Sequence, residues 1–258
     1  ATTEIYTLSL HDALPIWREA VMMSGKRWGY VVQFFCLLVF LGMSPFLIKM
    51  DGRKTMSVSS DSVRSQNVSD EVKPVVALTF DDGPNASSTP ILLDGLKERK
   101  VRATFFLIGE NVEKDENEKI VKRMYEEGHL IGNHTYTHCN LSKLETGEAK
   151  KELEQTDTVI EKITGKQPVF VRAPYGELPV DSEQDLNRIY IGWTVDPLDW
   201  MTEDTGAVVK TVVEEINPGD VILLHDCYPS SVQAAIRIVD LLQGKGYEFV
   251  TVDHLIMD

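Results

Sequence analysis

The chain has 258 residues, of which 43% are apolar, and this is enough for one large α/β domain with short additions. Its formal net charge of -14, without a cluster of lysine and arginine residues, argues against a protein that binds the phosphate backbone of nucleic acids. An acidic surface of this kind is compatible with a neutral or a cationic substrate.

The chain begins with a segment that we expect to be non-native. Residues 1–16 show neither helical nor strand periodicity and are typical of translated adapter or upstream DNA. A native start at Met22 or Met23 fits the sequence that follows. We therefore exclude residues 1–21, as a leader, from the prediction of the fold.

Residues 22–50 contain an apolar segment that is long enough to cross a membrane. Lys26 and Arg27 precede about twenty mostly apolar residues, which predicts one transmembrane helix. No small-residue cleavage pattern follows, so we predict a retained signal anchor; the alternative is a signal peptide that is cleaved to release a secreted protein. The basic flank predicts that the rest of the chain lies outside the cytoplasm.

Residues 51–73 lack an apolar period and predict a solvated linker, and residues 74–258 predict one folded domain. Strands are predicted at residues 75–80, 103–108, 130–133, 169–172, 189–195, 221–225 and 249–252. Helices are predicted at residues 89–100, 118–127, 148–164, 206–216 and 231–243. This alternation indicates βα units around a parallel sheet, and about seven strands favour a (β/α) barrel over an open doubly wound sheet.

The first predicted strand ends in two adjacent carboxylates, within the sequence TFDDGP at residues 79–84. Charged groups at the carboxyl end of a strand are typical of active sites in α/β proteins. Consecutive strand residues point to opposite sides, so Asp81 and Asp82 can reach different partners, one a metal and the other a proton. Alternatively, the motif is a turn that only caps the strand.

Two histidines four residues apart, His134 and His138, form a second candidate motif. On a helical turn, which we expect here, they would share one face and bind one ion together. With Asp82 they supply three ligands and leave coordination positions open for water and substrate. Imidazole and carboxylate ligands suit zinc, and also cobalt, nickel or iron, better than calcium.

Three later clusters each follow a predicted strand: RAPYG at residues 172–176, DPLDW at residues 196–200, and His225 with Asp226. Taken singly, they have simpler explanations: an arginine ion pair, a packed tryptophan, and a histidine that caps a strand. In a closed parallel sheet all these strand ends meet at one edge. Their joint occurrence at successive strand ends therefore favours a common site.

In this order, TFDDGP, HTYTH, RAPYG, DPLDW and LLH resemble the five motifs of the polysaccharide deacetylase family, carbohydrate esterase family four, also called the NodB-homology domain. The resemblance extends over about residues 73–258, so the domain at residues 74–258 is expected to be catalytic. It implies a distorted (β/α) barrel that hydrolyses N-acetyl groups on sugars such as N-acetylglucosamine. It also implies one divalent metal ion, for which we favour zinc.

The resemblance also implies roles for single residues of these motifs. The roles are metal ligand for Asp82, His134 and His138, general base for Asp81, general acid for His225, partner of the base for Arg172, partner of the acid for Asp199, backbone donor to the oxyanion for Tyr175, and wall of the acetyl pocket for Trp200 and Leu223.

The substrate follows from the expected location of the domain. A signal anchor and a linker would hold it at the bacterial cell membrane, within reach of the envelope, which favours the N-acetylglucosamine units of peptidoglycan. Chitin-type oligomers, O-acetyl xylan and exopolysaccharide are alternatives, the last two for an O-acetyl esterase. A further alternative is an inactive glycan-binding module, but no ligand, base or acid is missing. We expect no nucleic acid and no obligate protein partner.

Four other residues have simpler predicted roles. Cys139 and Cys227 lack metal-type spacing, and we predict two free thiols rather than a disulfide. His129 and His254 have no partner motif, so we interpret them as surface histidines or as buried histidines with hydrogen-bond partners.

Overall fold

The computed structural model describes residues 73–114, 116–180, 182 and 187–257 of the chain. Strands and helices alternate along these residues, as predicted. The strands are β1 Val75–Asp81, β2 Thr104–Leu107, β3 Leu130–Asn133, β4 Phe170–Val171, β5 Ile189–Tyr190, β6 Val221–His225 and β7 Glu248–Val250. The helices are α1 Thr89–Glu98, α2 Gly109–Val112, α3 Asn117–Glu126, α4 Thr146–Thr164, α5 Thr205–Glu215, α6 Pro229–Gly244 and α7 Val252–Met257.

The seven strands form one parallel sheet in the order β5-β4-β3-β2-β1-β6, with β7 paired to β1. Strand β1 is central: β6 pairs with it from Ala77 to Asp81, whereas β7 pairs with its first residues and β2 with Thr79 and Phe80. All strands point the same way, so their carboxyl ends lie along one edge, which we call the carboxyl edge. The prediction of an α/β fold with a parallel sheet is confirmed. The sheet forms a half-barrel.

The predicted strand at residues 189–195 is found only in part. Its first residues pair with β4, and the N–H of Ile191 donates to the carbonyl of Val171 at 2.8 Å. Its last residues reach β6 instead, where the N–H of Thr194 donates to the carbonyl of Val221 at 2.9 Å. This stretch therefore crosses from one side of the half-barrel to the other, and it cannot follow a single neighbouring strand along its length.

Apolar side chains from the strands and helices pack into a core below the carboxyl edge. Leu78 and Phe80 alternate along β1, and the ring of Phe80 stacks on that of Phe105 with centroids 5.2 Å apart. Helix α1 buries Leu92 and Leu96 completely against the same core. Burial of each such side chain stabilises the fold by about 1.5–3 kcal/mol, so the strand ends that carry polar residues are held in fixed positions.

Several sequence predictions fall outside the described residues. These are the leader at residues 1–21, the membrane helix at residues 22–50 and the linker up to residue 72. Within the described ranges, none of the helices combines the length and the apolar character needed to cross a membrane. At the other end of the chain, the predicted strand at 249–252 stops at Val250, because the backbone from Val252 onward is helical.

Candidate active site

Asp82 and two histidines converge at the carboxyl edge, directly after β1 and β3. Asp82 Oδ1 lies 3.4 Å from His134 Nε2 and 3.2 Å from His138 Nε2. This oxygen is buried and has no hydrogen-bond partner in the described part of the chain. A buried carboxylate oxygen without a donor, faced by two imidazole nitrogens, fits a divalent cation well. The structure thus brings together the three predicted metal ligands.

His134 is oriented by a hydrogen bond on the far side of its ring. Its Nδ1 lies 2.7 Å from the carbonyl oxygen of Arg172, and the side chain is almost completely buried. Because a carbonyl can only accept, Nδ1 carries a proton, which leaves Nε2 as the nitrogen that faces Asp82 and could bind a metal ion. A second hydrogen bond of this kind is typical of histidines that bind metal ions.

His138 reaches the same point from a loop, and the predicted helical turn is wrong. Thr135 and His138 have φ values of 64° and 57°, in the left-handed region, which ends any helical path. Glu152 of α4 holds the loop, since its Oε2 accepts the backbone N–H groups of Tyr136 at 3.0 Å and Thr137 at 2.8 Å. Burial lowers the pKa of His138, which favours the neutral ring that a metal ion requires.

Asp81 is held by Arg172. The two side chains are buried, with Asp81 Oδ1 2.9 Å from Arg172 Nη1. Arg172 also donates to Thr79 Oγ1 at 2.7 Å and to the carbonyl of Gly192 at 2.9 Å, so its buried charge has several partners. Asp81 Oδ2 remains on the side of the metal ligands, 3.7 Å from His134 Nε2.

His225, the last residue of β6, is paired with Asp199. Its Nδ1 lies 2.8 Å from Asp199 Oδ1, and its backbone N–H donates to Asp199 Oδ2 at 2.8 Å. Burial acts to lower the pKa of His225, but the hydrogen bond and charge of Asp199, with the charges of Asp81 and Asp82, raise it to about 9. At neutral pH the ring is therefore protonated on Nε2, which lies 3.9 Å from Asp82 Oδ2.

The other predicted site residues surround these groups. Tyr175 is exposed and has a φ of 63°, and its ring lies 4.9 Å from that of His138. Trp200 is 49% exposed and directly follows Asp199 in a short 3-10 helix. Leu223 is buried on β6, two residues before His225. The predicted roles of these three residues in holding the substrate remain predictions.

Two residues without a predicted role also support the site. Asp226 is fully buried, accepts a hydrogen bond from Thr89 Oγ1 at 2.6 Å, and has a pKa raised by burial to about 7. It lies against Gly83, where a Cβ atom would come within 2.5 Å of both carboxylate oxygens. Asn111 of α2 donates through Nδ2 to the carbonyl of Asp82 at 2.7 Å. Nothing in the local sequence around Asn111 indicates this contact.

Both cysteines in the described residues, Cys139 and Cys227, carry free thiols, in agreement with the sequence prediction. His129 is buried and its Nδ1 accepts the N–H of Ala103 at 3.1 Å. His254 is exposed, with Nδ1 3.0 Å from Thr251 Oγ1. Both histidines therefore have the structural roles that the sequence suggested.

Comparison with known proteins finds a matching family model and relatives that are named as deacetylases. Residues 69–191 match the family model described as polysaccharide deacetylase. The chain is 42% identical over 190 residues to a peptidoglycan-N-acetylglucosamine deacetylase of Bacillus cereus, covering 71% of this chain and 68% of that protein. It is 39% identical over 194 residues to the peptidoglycan-N-acetylmuramic acid deacetylase PdaC of Bacillus subtilis, covering 75% of this chain but only 41% of that longer protein.

Solved structures share the fold. The structure of PdaC matches with a TM-score of 0.68 and 39% identity, covering 71% of this chain and 90% of that one. A family 4 acetyl xylan esterase from Clostridium thermocellum, solved in complex with a cobalt ion, matches with a TM-score of 0.66 and 33% identity, covering 70% of this chain and 89% of that one.

Proposed function

The chain belongs to the polysaccharide deacetylase family of hydrolases that act on carbon–nitrogen bonds, and from this we propose that it removes N-acetyl groups from N-acetylglucosamine residues of an envelope glycan. One observation carries the proposal. The cluster of Asp82, His134 and His138 lies between two separate proton-handling pairs, Asp81 with Arg172 and His225 with Asp199.

The cluster would hold one divalent metal ion, and its two imidazoles and one carboxylate favour zinc, with cobalt, nickel or iron as alternatives. A bound ion would polarise the acetyl carbonyl and lower the pKa of a nearby water toward neutrality. The tautomer of His134, fixed by the carbonyl of Arg172, and the unpartnered Oδ1 of Asp82 support this assignment.

Asp81 acts as the general base in this proposal. Arg172 occupies its Oδ1, so Oδ2 is the oxygen that takes the proton from the attacking water. The water oxygen then bonds to the carbonyl carbon, and the backbone N–H of Tyr175 donates to the resulting oxyanion, an effect worth about 3–4 kcal/mol for one donor. Trp200 and Leu223 would enclose the acetyl methyl group.

His225 acts as the general acid. The bond between the carbonyl carbon and the sugar nitrogen breaks, and Nε2 of His225 gives its proton to that nitrogen. Asp199 holds Nδ1 and stabilises the charged ring before the transfer. The products are acetate and a glycan with a free amino group.

Peptidoglycan is the substrate that we favour. The relatives from Bacillus cereus and Bacillus subtilis are named as peptidoglycan deacetylases. The basic and apolar segment within residues 22–50 further favours a domain held outside the cytoplasm, anchored to the bacterial cell membrane. An O-acetyl esterase is the second candidate, favoured by the likeness to the acetyl xylan esterase.

The test is acetate release by the purified full chain, stripped of metal and then supplied with zinc or cobalt. Peptidoglycan, N-acetylglucosamine oligomers and O-acetylated xylan are compared, with Asp81→Asn as the control. Metal-restored release from the N-acetyl glycans, absent in the control, supports the proposal. Release from xylan alone favours the esterase, and no release from any substrate despite one bound ion per chain favours the inactive glycan-binding module.

A further inference from the structure

The two loops that carry the three candidate metal ligands follow strands on either side of β2. Asp82 directly follows β1, whereas His134 and His138 follow β3, and β2 lies between β1 and β3 in the sheet. The residues that continue β2 therefore run between the two loops. We call residues 108–111, which include the start of α2, the bridging segment.

The bridging segment donates hydrogen bonds to the loop that carries the histidines. The N–H of Gly109 donates to the carbonyl of Thr135 at 3.0 Å, and the N–H of Glu110 donates to the carbonyl of Tyr136 at 3.0 Å. Both donors lie in the first turn of α2, where backbone N–H groups have no acceptor within the helix. The close approach requires glycine at position 109, because a Cβ atom there would collide with the ring of Tyr136. The position of the histidine loop therefore depends on the bridging segment.

The same segment also donates to the loop that carries Asp82. Asn111 donates through Nδ2 to the carbonyl of Asp82 at 2.7 Å, and the N–H of Ile108 donates to the carbonyl of Gly83 at 3.1 Å. Lys114 donates to Oδ1 of Asn111 at 2.6 Å. Because an ammonium group can only donate, this contact fixes the amide of Asn111 with Nδ2 toward Asp82.

The backbone of Asp82 needs such support. Its φ is 69°, in the left-handed region, which is unfavourable for a residue with a side chain and persists only where the surroundings hold it. The hydrogen bond from Asn111 ends on the carbonyl of this same residue. Without that bond, we expect Asp82 to sample other backbone conformations, in which Oδ1 moves away from the two imidazole nitrogens.

We propose that Asn111 is a positioning residue for the metal site, and that the bridging segment couples Asp82 to the two histidines. The inference rests on the proposed function, because it concerns the affinity of the three ligands for the metal ion. Asn111 acts through the backbone of Asp82 and fixes where the carboxylate lies. Loss of a residue that supports a metal ligand commonly lowers metal affinity by about 10–100-fold.

The first test is the zinc affinity of the full chain, measured by chelator competition. Asn111→Ala removes the donor to Asp82, and we expect it to lower the zinc affinity about 10–100-fold. Asn217→Ala is the matched control, because Asn217 Nδ2 also donates to a backbone carbonyl, that of Glu215 at 2.9 Å, but in the loop before β6. The absorption bands of bound cobalt, which depend on the geometry of its ligands, should change in Asn111→Ala and not in Asn217→Ala.

Hydrogen–deuterium exchange of the wild type tests the coupling without a substitution. Zinc should slow the exchange of the N–H groups of Gly109 and Glu110, because their acceptors belong to the loop that zinc holds in place. The N–H of Ile216 is the control, since it donates to the carbonyl of Val212 at the end of α5. We expect its exchange rate to be the same with and without zinc.

Two results would overturn the inference. One is a folded Asn111→Ala variant with the zinc affinity and the cobalt spectrum of the wild type. The other, which decides if that variant does not fold, is exchange at Gly109 and Glu110 that zinc leaves unchanged. A wild-type chain that binds neither ion contradicts the proposed metal site, and the inference with it. Zinc affinity that falls in Asn111→Ala supports the inference even if the wild type releases no acetate, so the proposed deacetylation can fail separately.

Discussion

Asp81 and His225 occupy paired positions on adjacent parallel strands, β1 and β6. Each has its own buried partner from another part of the chain: Arg172 follows β4, and Asp199 lies in a short 3-10 helix. The proposed base and the proposed acid are therefore fixed by separate contacts at the same level of the sheet. Changes to one pair are expected to leave the geometry of the other intact.

Asp199→Asn tests the acid. The substitution removes the negative charge that helps raise the pKa of His225 to about 9, so this pKa falls. The acid must be protonated to act, and activity is lost as the pH rises through its pKa. The alkaline limb of the pH profile of kcat/KM is therefore expected to move to lower pH, with kcat reduced about 10²-fold or more. A profile that keeps its alkaline limb in place would contradict the assignment of His225.

Asp81→Asn tests the base. The amide keeps an acceptor for Arg172 but cannot take a proton, so kcat is expected to fall by about 10²–10⁴-fold. Metal affinity should persist, because Asp82, His134 and His138 are unchanged. Asp94→Asn is the matched control, since Asp94 forms an exposed ion pair with Arg123 at 2.6 Å. Equal kcat for the two variants would show that another group acts as the base.

The sequence was a good guide to the site wherever a motif directly follows a buried strand. Asp81, Asp82, Arg172 and His225 were predicted to meet because parallel strands bring their carboxyl ends to one edge, and the structure brings these residues together. This inference needs only the strand assignments and their common direction. It does not depend on the details of any loop.

The loop that carries His138 was not predictable in the same way. Two histidines four residues apart suit a helical turn, but their spacing does not exclude a loop in which both rings reach the same ion. The conformation is decided by Glu152, which lies on α4 and accepts two backbone N–H groups of the loop. A carboxylate on the surface of an amphipathic helix gives no sign of such a contact. The stretch at residues 189–195 was misjudged for a similar reason, because its two ends pair with different strands.

Glu152 provides a third prediction, about metal affinity. Glu152→Ala removes the acceptor for the N–H groups of Tyr136 and Thr137, so the loop no longer holds His138 in place. We expect zinc affinity, measured by chelator competition, to fall about 10–100-fold, as is common when a residue that supports a metal ligand is lost. Glu152→Gln should restore part of the affinity. Glu154→Ala is the control, because Glu154 is exposed on the same helix and pairs with Lys150. If both alanine variants bind zinc like the wild type, Glu152 has no positioning role.

His129 predicts a pH dependence of stability that is separate from the site. Its ring packs edge-on against Phe105, and burial lowers its pKa to about 4 from an ordinary value near 6.5. Between pH 4 and pH 6.5 the unfolded chain therefore binds more protons than the folded chain. As a result, the free energy of unfolding falls as the pH drops from 6.5 to 4. This contribution is fully present above pH 6.5, is lost near pH 4, and is on the order of 3 kcal/mol.

His129→Asn isolates that contribution, because its Oδ1 keeps an acceptor for the N–H of Ala103 without a titratable ring. Carboxyl groups elsewhere in the chain also titrate in this range. The informative quantity is therefore the difference in the free energy of unfolding between the wild type and the variant at each pH. We measure the free energy of unfolding by urea titration, followed by tryptophan fluorescence. Between pH 6.5 and pH 4 we expect it to decline less steeply for the variant than for the wild type. The variant also loses the contact with Phe105, which lowers its stability equally at every pH. If the free energy of unfolding of the two proteins runs in parallel across this pH range, His129 protonates as readily in the folded chain as in the unfolded one.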